Sequence, residues 1–264
     1  MAKINTKTKI NITDGVLIPG RDDSSIFSAW RIAFYGAIFT LILLPVLSPR
    51  PYLDLLLFVP DGILRTFQVT VLSIFFALII GLLVGLGRIS RFVFVNRIST
   101  VYVEVIRGIP LLVQLFYIYY ALAKFVRISD ITSAVIAIAI CYGAYISEIF
   151  RAGIQSIPKG QMEAALALGF TRGQAIFRII LPQTLKVVLP PIGNEFIALL
   201  KDSSLVSILA VSDLLRRGRE FASTSFDYFE TYTMIAIIYL ILTLFFSRLV
   251  AIMEERMKTD AKQS

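Results

Sequence analysis

Four polar side chains interrupt one of the most apolar stretches of the chain. In VVLPPIGNEFIALLKDSSLVSIL, residues 187–209, Asn194, Glu195, Lys201 and Asp202 stand among leucines, isoleucines and valines. At 100° per residue, Asn194 and Lys201 fall on nearly one azimuth of a helix, and Glu195 and Asp202 on the adjoining one, so the four form a single polar face. Ionisable groups at membrane depth are costly and normally face a partner or a water-filled route. The competing reading is a short helix that leaves Lys201 and Asp202 in the outer headgroup layer. Gln114, four residues past Pro110 in IRGIPLLVQ, is a further polar group in a predicted span. Interhelical hydrogen bonding is the ordinary role of such a glutamine, and lining a polar path is the alternative.

Covalent chemistry has little to work with. The chain has no histidine and one cysteine, Cys141. That excludes histidine-containing metal sites, Ser-His-Asp and Cys-His nucleophile systems, and HExxH hydrolysis. It also excludes a disulfide within one chain. No GxxxxGK[ST] occurs, so the chain holds no nucleotide through a Walker A loop. An intramembrane protease would need the histidine of the serine type or the GxGD of the aspartyl type, and the sequence has neither.

A second constellation lies in MEAALALGFTRGQAIFRIILP, residues 162–182. Ser156 and Pro158 suit a helix start. The pattern predicts a helix over Lys159–Leu168, stopped by Gly169, the residue best able to adopt a left-handed conformation after a helix end. Thr171 and Gln174 form a T-x-x-Q capping box for a second helix, predicted to end at Leu181 before Pro182. The first helix is too short to be stable alone in water, so Met162, Ala165, Leu166 and Leu168 need cover. The two-helix shape is also that of a DNA-reading helix-turn-helix, but its place between spans leaves no room for a supporting third helix.

These groups must be positioned by a membrane bundle. Of 264 residues, 57% are hydrophobic and 17% charged, with a mean hydropathy of +0.78. Apolar windows long enough to cross a bilayer fall at 30–48, 64–87, 108–124, 131–150, 185–209 and 231–250, which predicts an all-α polytopic protein of about six transmembrane helices. With the amino terminus inside, most of the 26 basic residues fall in cytoplasmic segments, as the positive-inside rule requires. The net charge of +8 needs no nucleic acid to explain it.

Residues 1–29 read as a cytoplasmic tail and 254–264 as another. Trp30–Ser48 reads as a retained helix with Pro45 kinking its last turns, followed by an external connection at 49–62. Gly81, Gly85 and Gly87 predict close approach of another helix to the second span. Gly108 and Pro110 predict a break before the third. Glu148 and Arg151, three apart, predict an ion pair. In VSDLLRRGREFAS, the cluster Arg216, Arg217 and Arg219 suits a short outer-surface helix, either as a solvated face or as a docking surface for an external partner.

Glu163, Ala164, Ala165, Gly169, Ile179, Leu181 and Pro182 together fit EAA-x3-G-x9-I-x-LP. The chain therefore resembles the membrane permease subunits of bacterial binding-protein-dependent ABC importers. YVEVIRGIPLLVQLFYIYY, EIFRAGIQSIPKGQMEAALALG and LPPIGNEFIALLKDSSL resemble the polar amino-acid subfamily, the histidine and glutamine permeases, over about residues 60–258. The resemblance implies a five-helix transmembrane domain at 63–253 with a cytoplasmic coupling helix at 159–169, and one extra amino-terminal helix within 30–62. It implies that Glu163, Ala164, Ala165 and Gly169 dock on a separate ATPase subunit, which holds the ATP and Mg, while this chain binds no cofactor or metal and is no enzyme. The implied assembly is two permease chains, identical or related, two ATPases and an extracytoplasmic solute-binding protein. It sits in the bacterial inner membrane with the amino terminus cytoplasmic, and it moves a polar amino acid by alternating access along Gln114, Asn194, Glu195, Lys201 and Asp202. A secondary transporter or channel for small polar solutes is the rival reading. It accounts for the spans but gives the internal helix pair no purpose.

Overall fold

The computed structural model describes residues 28–122, 124–125 and 128–263. The expected tail at residues 1–27 lies outside them. Among the described residues there is no strand. The helices are α1 (Ala29–Leu47), α2 (Pro49–Phe58), α3 (Pro60–Arg88), α4 (Val93–Gly108), α5 (Leu111–Phe116), α6 (Asp130–Ser156), α7 (Lys159–Ala167), α8 (Arg172–Ala175), α9 (Leu181–Asp202), α10 (Leu214–Ser225) and α11 (Tyr228–Gln263). A π-helical segment, Tyr117–Leu122, extends α5; another, Ile176–Ile180, joins α8 to α9; a 3₁₀ segment, Ser203–Leu209, follows α9.

Among the described residues five helical stretches are long and apolar enough to cross a membrane, with a sixth crossing only if α4 and α5 count as one bent span. These two meet at 102°. The expected third span at 108–124 is thus not a straight membrane helix. Ile109 is extended (φ −108°, ψ 129°) and Pro110 cannot donate a hydrogen bond, so the helix stops and turns at the expected break.

Two other expectations need correcting. Residues 49–62 are not an open connection but α2 and the first turn of α3. Pro49 and Pro60 lie in first turns, where proline is tolerated, and Leu55 and Val59 are buried against Leu214, Met234, Ile235 and Ile238. The second helix of the internal pair does not end before Pro182: the chain is helical from Arg172 to Leu209, through Pro190 and Pro191. The π-helical segment just ahead of Pro182 is the kind of local adjustment that rehouses backbone groups freed by proline. Residues 254–263 continue α11 as helix.

The most buried of the long helices is α6, with α3, α9, α4 and α5 packed around it. The α3–α6 contact is close because glycines sit on both sides. A Cβ at Gly81 would lie 2.5 Å from Ile146 Cγ2, one at Gly85 2.9 Å from the Ser147 carbonyl oxygen, and one at Gly143 2.6 Å from Ile80 Cγ2. Small residues in membrane helices permit this approach, and dispersion contacts then hold the pair. At one end Glu148 bonds Arg151 as expected and also Arg88 of α3, which fixes the two helices in register.

At the other end α10 is tied down by its own charges. Arg216 pairs with Glu220 at 2.9 Å, and Arg217 Nε donates to Asp61 Oδ2 at 2.9 Å while stacking over Phe58 at 5.1 Å. Arg219 donates to the Ser207 carbonyl at 3.0 Å. The basic cluster is engaged within the chain. Asp213 caps α10, accepting from the Leu215 and Arg216 amides, and is fully buried. Burial pushes its carboxyl up to about 6 from 3.8, against the pull of those two amides. A folded value above the unfolded one means that the fold favours the protonated acid. That contribution is complete below pH 3.8 and is lost as pH rises through about 6, a swing of roughly 3 kcal/mol. Asp213→Asn cannot ionise, so its melting temperature in detergent should gain on that of the unsubstituted protein between pH 4 and pH 7. A constant difference across that range would refute the assignment.

Candidate functional site

Where α4 breaks, a cleft of about 410 Å³ opens between the end of α4, α6 and α9. Glu195, Ala198 and Asp202 face it from one stripe of α9; Cys141, Tyr142 and Tyr145 face it from α6; Arg107 closes it from the last turn of α4. The Tyr142 hydroxyl donates to Asp202 Oδ2 at 2.8 Å, which fixes that carboxylate. The Arg107 guanidinium lies 5.0 Å from the centre of the Tyr145 ring, a cation–π contact that holds the cation at the rim. Glu195 makes no hydrogen bond or ion pair with another described residue, so its carboxylate is available to a ligand. The cleft thus presents one guanidinium and two carboxylates, groups that match a carboxylate and an ammonium.

The polar face read from the sequence is divided by its neighbours. Glu195 and Asp202 line the cleft, whereas Asn194 and Lys201 are exposed beside it and do not. Gln114 stands behind the wall. Its Nε2 donates to the carbonyls of Ile106 and Ile109, both at 2.8 Å, so the side chain caps the broken end of α4. Arg107, Tyr142 and Tyr145 were not picked out from the sequence as site residues. A cation one residue before a Gly-x-Pro break could have flagged Arg107; nothing local marks the tyrosines.

The helix pair at the other end has the expected caps. Gly169 is left-handed (φ +83°), and its N–H and that of Phe170 donate to Leu166 and Ala165, closing both bonds of a Schellman motif. Thr171 and Gln174 exchange both capping-box bonds, at 3.3 and 2.9 Å. Along α7, Lys159, Met162, Glu163 and Leu166 face back toward the bundle and line a second cavity. Ala165 is buried within the chain. Gly160, Ala164 and Ala167 form the opposite, exposed face, where the absence of bulk leaves backbone open to a partner. Since α8 runs through Ile176–Ile180 into α9, the second helix of this pair and the carboxylates of the cleft share one helical rod.

A polytopic helical bundle with a polar cleft in its middle and a capped helix pair at one end defines the membrane subunit of a transporter. The model of the binding-protein-dependent transport system inner membrane component matches residues 77–259, more than half of the chain, and the chain belongs to that family. It is 41% identical over 201 residues to the glutamine transport system permease protein GlnP of Escherichia coli (strain K12), covering 75% of this chain and 92% of that one. It is 42% identical over 198 residues to the L-cystine transport system permease protein TcyB of Bacillus subtilis (strain 168), covering 74% and 85%. A crystal structure of an amino acid ABC transporter with histidines superposes with a TM-score of 0.72 at 41% identity, over 80% of this chain and 97% of that chain. Membership in this family sets aside the reading as a secondary transporter or channel. The protein is a permease subunit of the inner membrane.

Proposed function

We propose that this permease carries a polar amino acid through the cleft at Arg107, Glu195 and Asp202, driven by a separate ATPase docked on the exposed face of α7. The observation that carries the reading is the continuous helix from Arg172 to Leu209, which puts α8, the second helix of the docking pair, and two cleft carboxylates on one element, with α7 joined to it by the capped turn at Gly169. Between Arg172 and Asp202 it spans roughly 45 Å at 1.5 Å per residue, so a push at one end tilts the other. ATP and Mg belong to the ATPase. Two permease chains, identical or related, and an extracytoplasmic binding protein complete the assembly. Glutamine and cystine, named for two relatives, are zwitterions with polar side chains, the chemistry that the cleft accommodates.

The amino terminus is cytoplasmic in this reading. Trp30 at the start of α1 donates its indole N–H to the Leu244 carbonyl at 3.0 Å and lies 5.7 Å from the Arg248 guanidinium, so α1 begins beside the basic late part of α11. Basic ends stay inside.

In proteoliposomes containing the reconstituted complex, Arg107→Gln and Glu195→Gln should each raise the KM for the delivered amino acid by about tenfold or more, the size of one lost charge-assisted bond. Unchanged uptake kinetics in both variants would refute the cleft. Transport by the chain in the absence of any ATPase subunit would refute the coupling.

A further inference from the structure

We propose that the second cavity, behind the coupling helix, is a binding site for an anionic phospholipid of the inner leaflet. It has a volume of about 680 Å³ and lies where α3 and α6 leave the bundle. Its walls bring together Arg91 from the α3–α4 connection, Lys159 from α7 and Arg172 from α8, with Glu163 as the only carboxylate. None of the three cations makes an ion pair or hydrogen bond with another described residue. The contrast with their neighbours is informative, because Arg88 and Arg151 at the same end both pair with Glu148. Three cations from separate elements converging on one cavity with a single carboxylate leave it net positive and call for an anion from outside.

The floor specifies what kind of anion. Ile154, Ile176 and Ile180 line it, and Met162 reaches in from α7. A free phosphate would leave these groups in water, whereas a phospholipid places its headgroup on the cations and an acyl chain along the isoleucines. The cavity is also at the boundary from which such a lipid would enter. The bound lipid would hold α7 against the α8–α9 rod from its inner side, leaving Gly160, Ala164 and Ala167 free for the ATPase.

Native mass spectrometry of the assembled complex, exchanged into detergent with phosphatidylglycerol, tests this. The expected result is a phosphatidylglycerol adduct on each permease chain. Occupancy should fall roughly thirtyfold in Arg91→Gln/Arg172→Gln. A control double variant at the same end but outside the cavity, Arg97→Gln/Lys186→Gln, should keep it. Equal loss in the control, or retention in the first variant, would overturn the proposal. So would displacement of the adduct by soluble glycerol 3-phosphate, which would mark a free-phosphate site. An adduct on the isolated permease that is missing from the assembled complex would also overturn it, by showing that the ATPase fills the cavity. None of these outcomes depends on which solute the cleft carries.

Discussion

Gly169→Val is expected to lower ATP-driven uptake by at least about tenfold while the folded, membrane-inserted protein persists. Gly169 holds φ at +83°, and a Cβ built there meets nothing within 4 Å, so a substitution strains the backbone alone. The left-handed conformation costs an L-residue roughly 1–2 kcal/mol, and a β-branched one suffers most. The cheapest relief is to flip the turn out of that region. This breaks the two bonds from Gly169 and Phe170 to the end of α7 and re-aims α7 relative to α8. Nothing in the spans is touched, so thermal stability in detergent should shift by only a few degrees. The series should follow left-handed tolerance: Gly169→Asn retains most uptake, Gly169→Ala is intermediate and Gly169→Val is lowest. Equal activity across the three, or loss of folded protein in Gly169→Asn, would refute this account.

Gly85→Leu should act in the opposite way, removing the folded protein itself. A Cβ at Gly85 would lie 2.9 Å from both the Phe150 Cβ and the Ser147 carbonyl oxygen. The second of these is backbone of the most buried helix and cannot rotate aside, so α3 must move away from α6. Overpacking of a well-filled interface typically costs about 1–3 kcal/mol, and here it also forfeits the contacts on either side. Size-exclusion profiles of the detergent-extracted protein should show aggregate in place of the monodisperse peak. Gly81→Ala is the milder counterpart, because its clash is with the Ile146 side chain. The double variant Gly81→Ala/Ile146→Leu, which removes the obstructing β-branch methyl Cγ2 at nearly constant volume, should recover part of the lost melting temperature. Failure of that rescue would mean that the contact is not the cause.

The parts of this architecture that were legible in the sequence are those fixed by local spacing. The left-handed glycine, the capping box, the glycines of α3 and the Glu148–Arg151 pair each depend on residues within a turn or two, so the sequence pattern carries them directly. The polar face of α9 was legible only as a face. Helical periodicity places Glu195 and Asp202 beside Asn194 and Lys201, but what α4 and α6 cover decides that the first pair lines the cleft and the second does not. Arg107 and Tyr142 enter the site from other helices, at separations no local pattern spans. Proline misled the reading at Pro182, where the chain stays helical. Rules learned in water treat it as a stop, whereas first-turn placement and an adjoining π-helical segment let the helix proceed.

The helix that runs from α8, next to the docking helix, to the cleft has a thermodynamic corollary. If solute in the cleft favours one tilt of that rod, and the ATPase grips α7 better in the same tilt, the two affinities are linked and must change by the same factor in both directions. A permease occupied by solute would then hold its ATPase more tightly than an empty one, and a change of ATPase partner would alter the apparent affinity for solute without any substitution in the cleft. Selectivity measured for this chain is therefore a property of the pair of subunits.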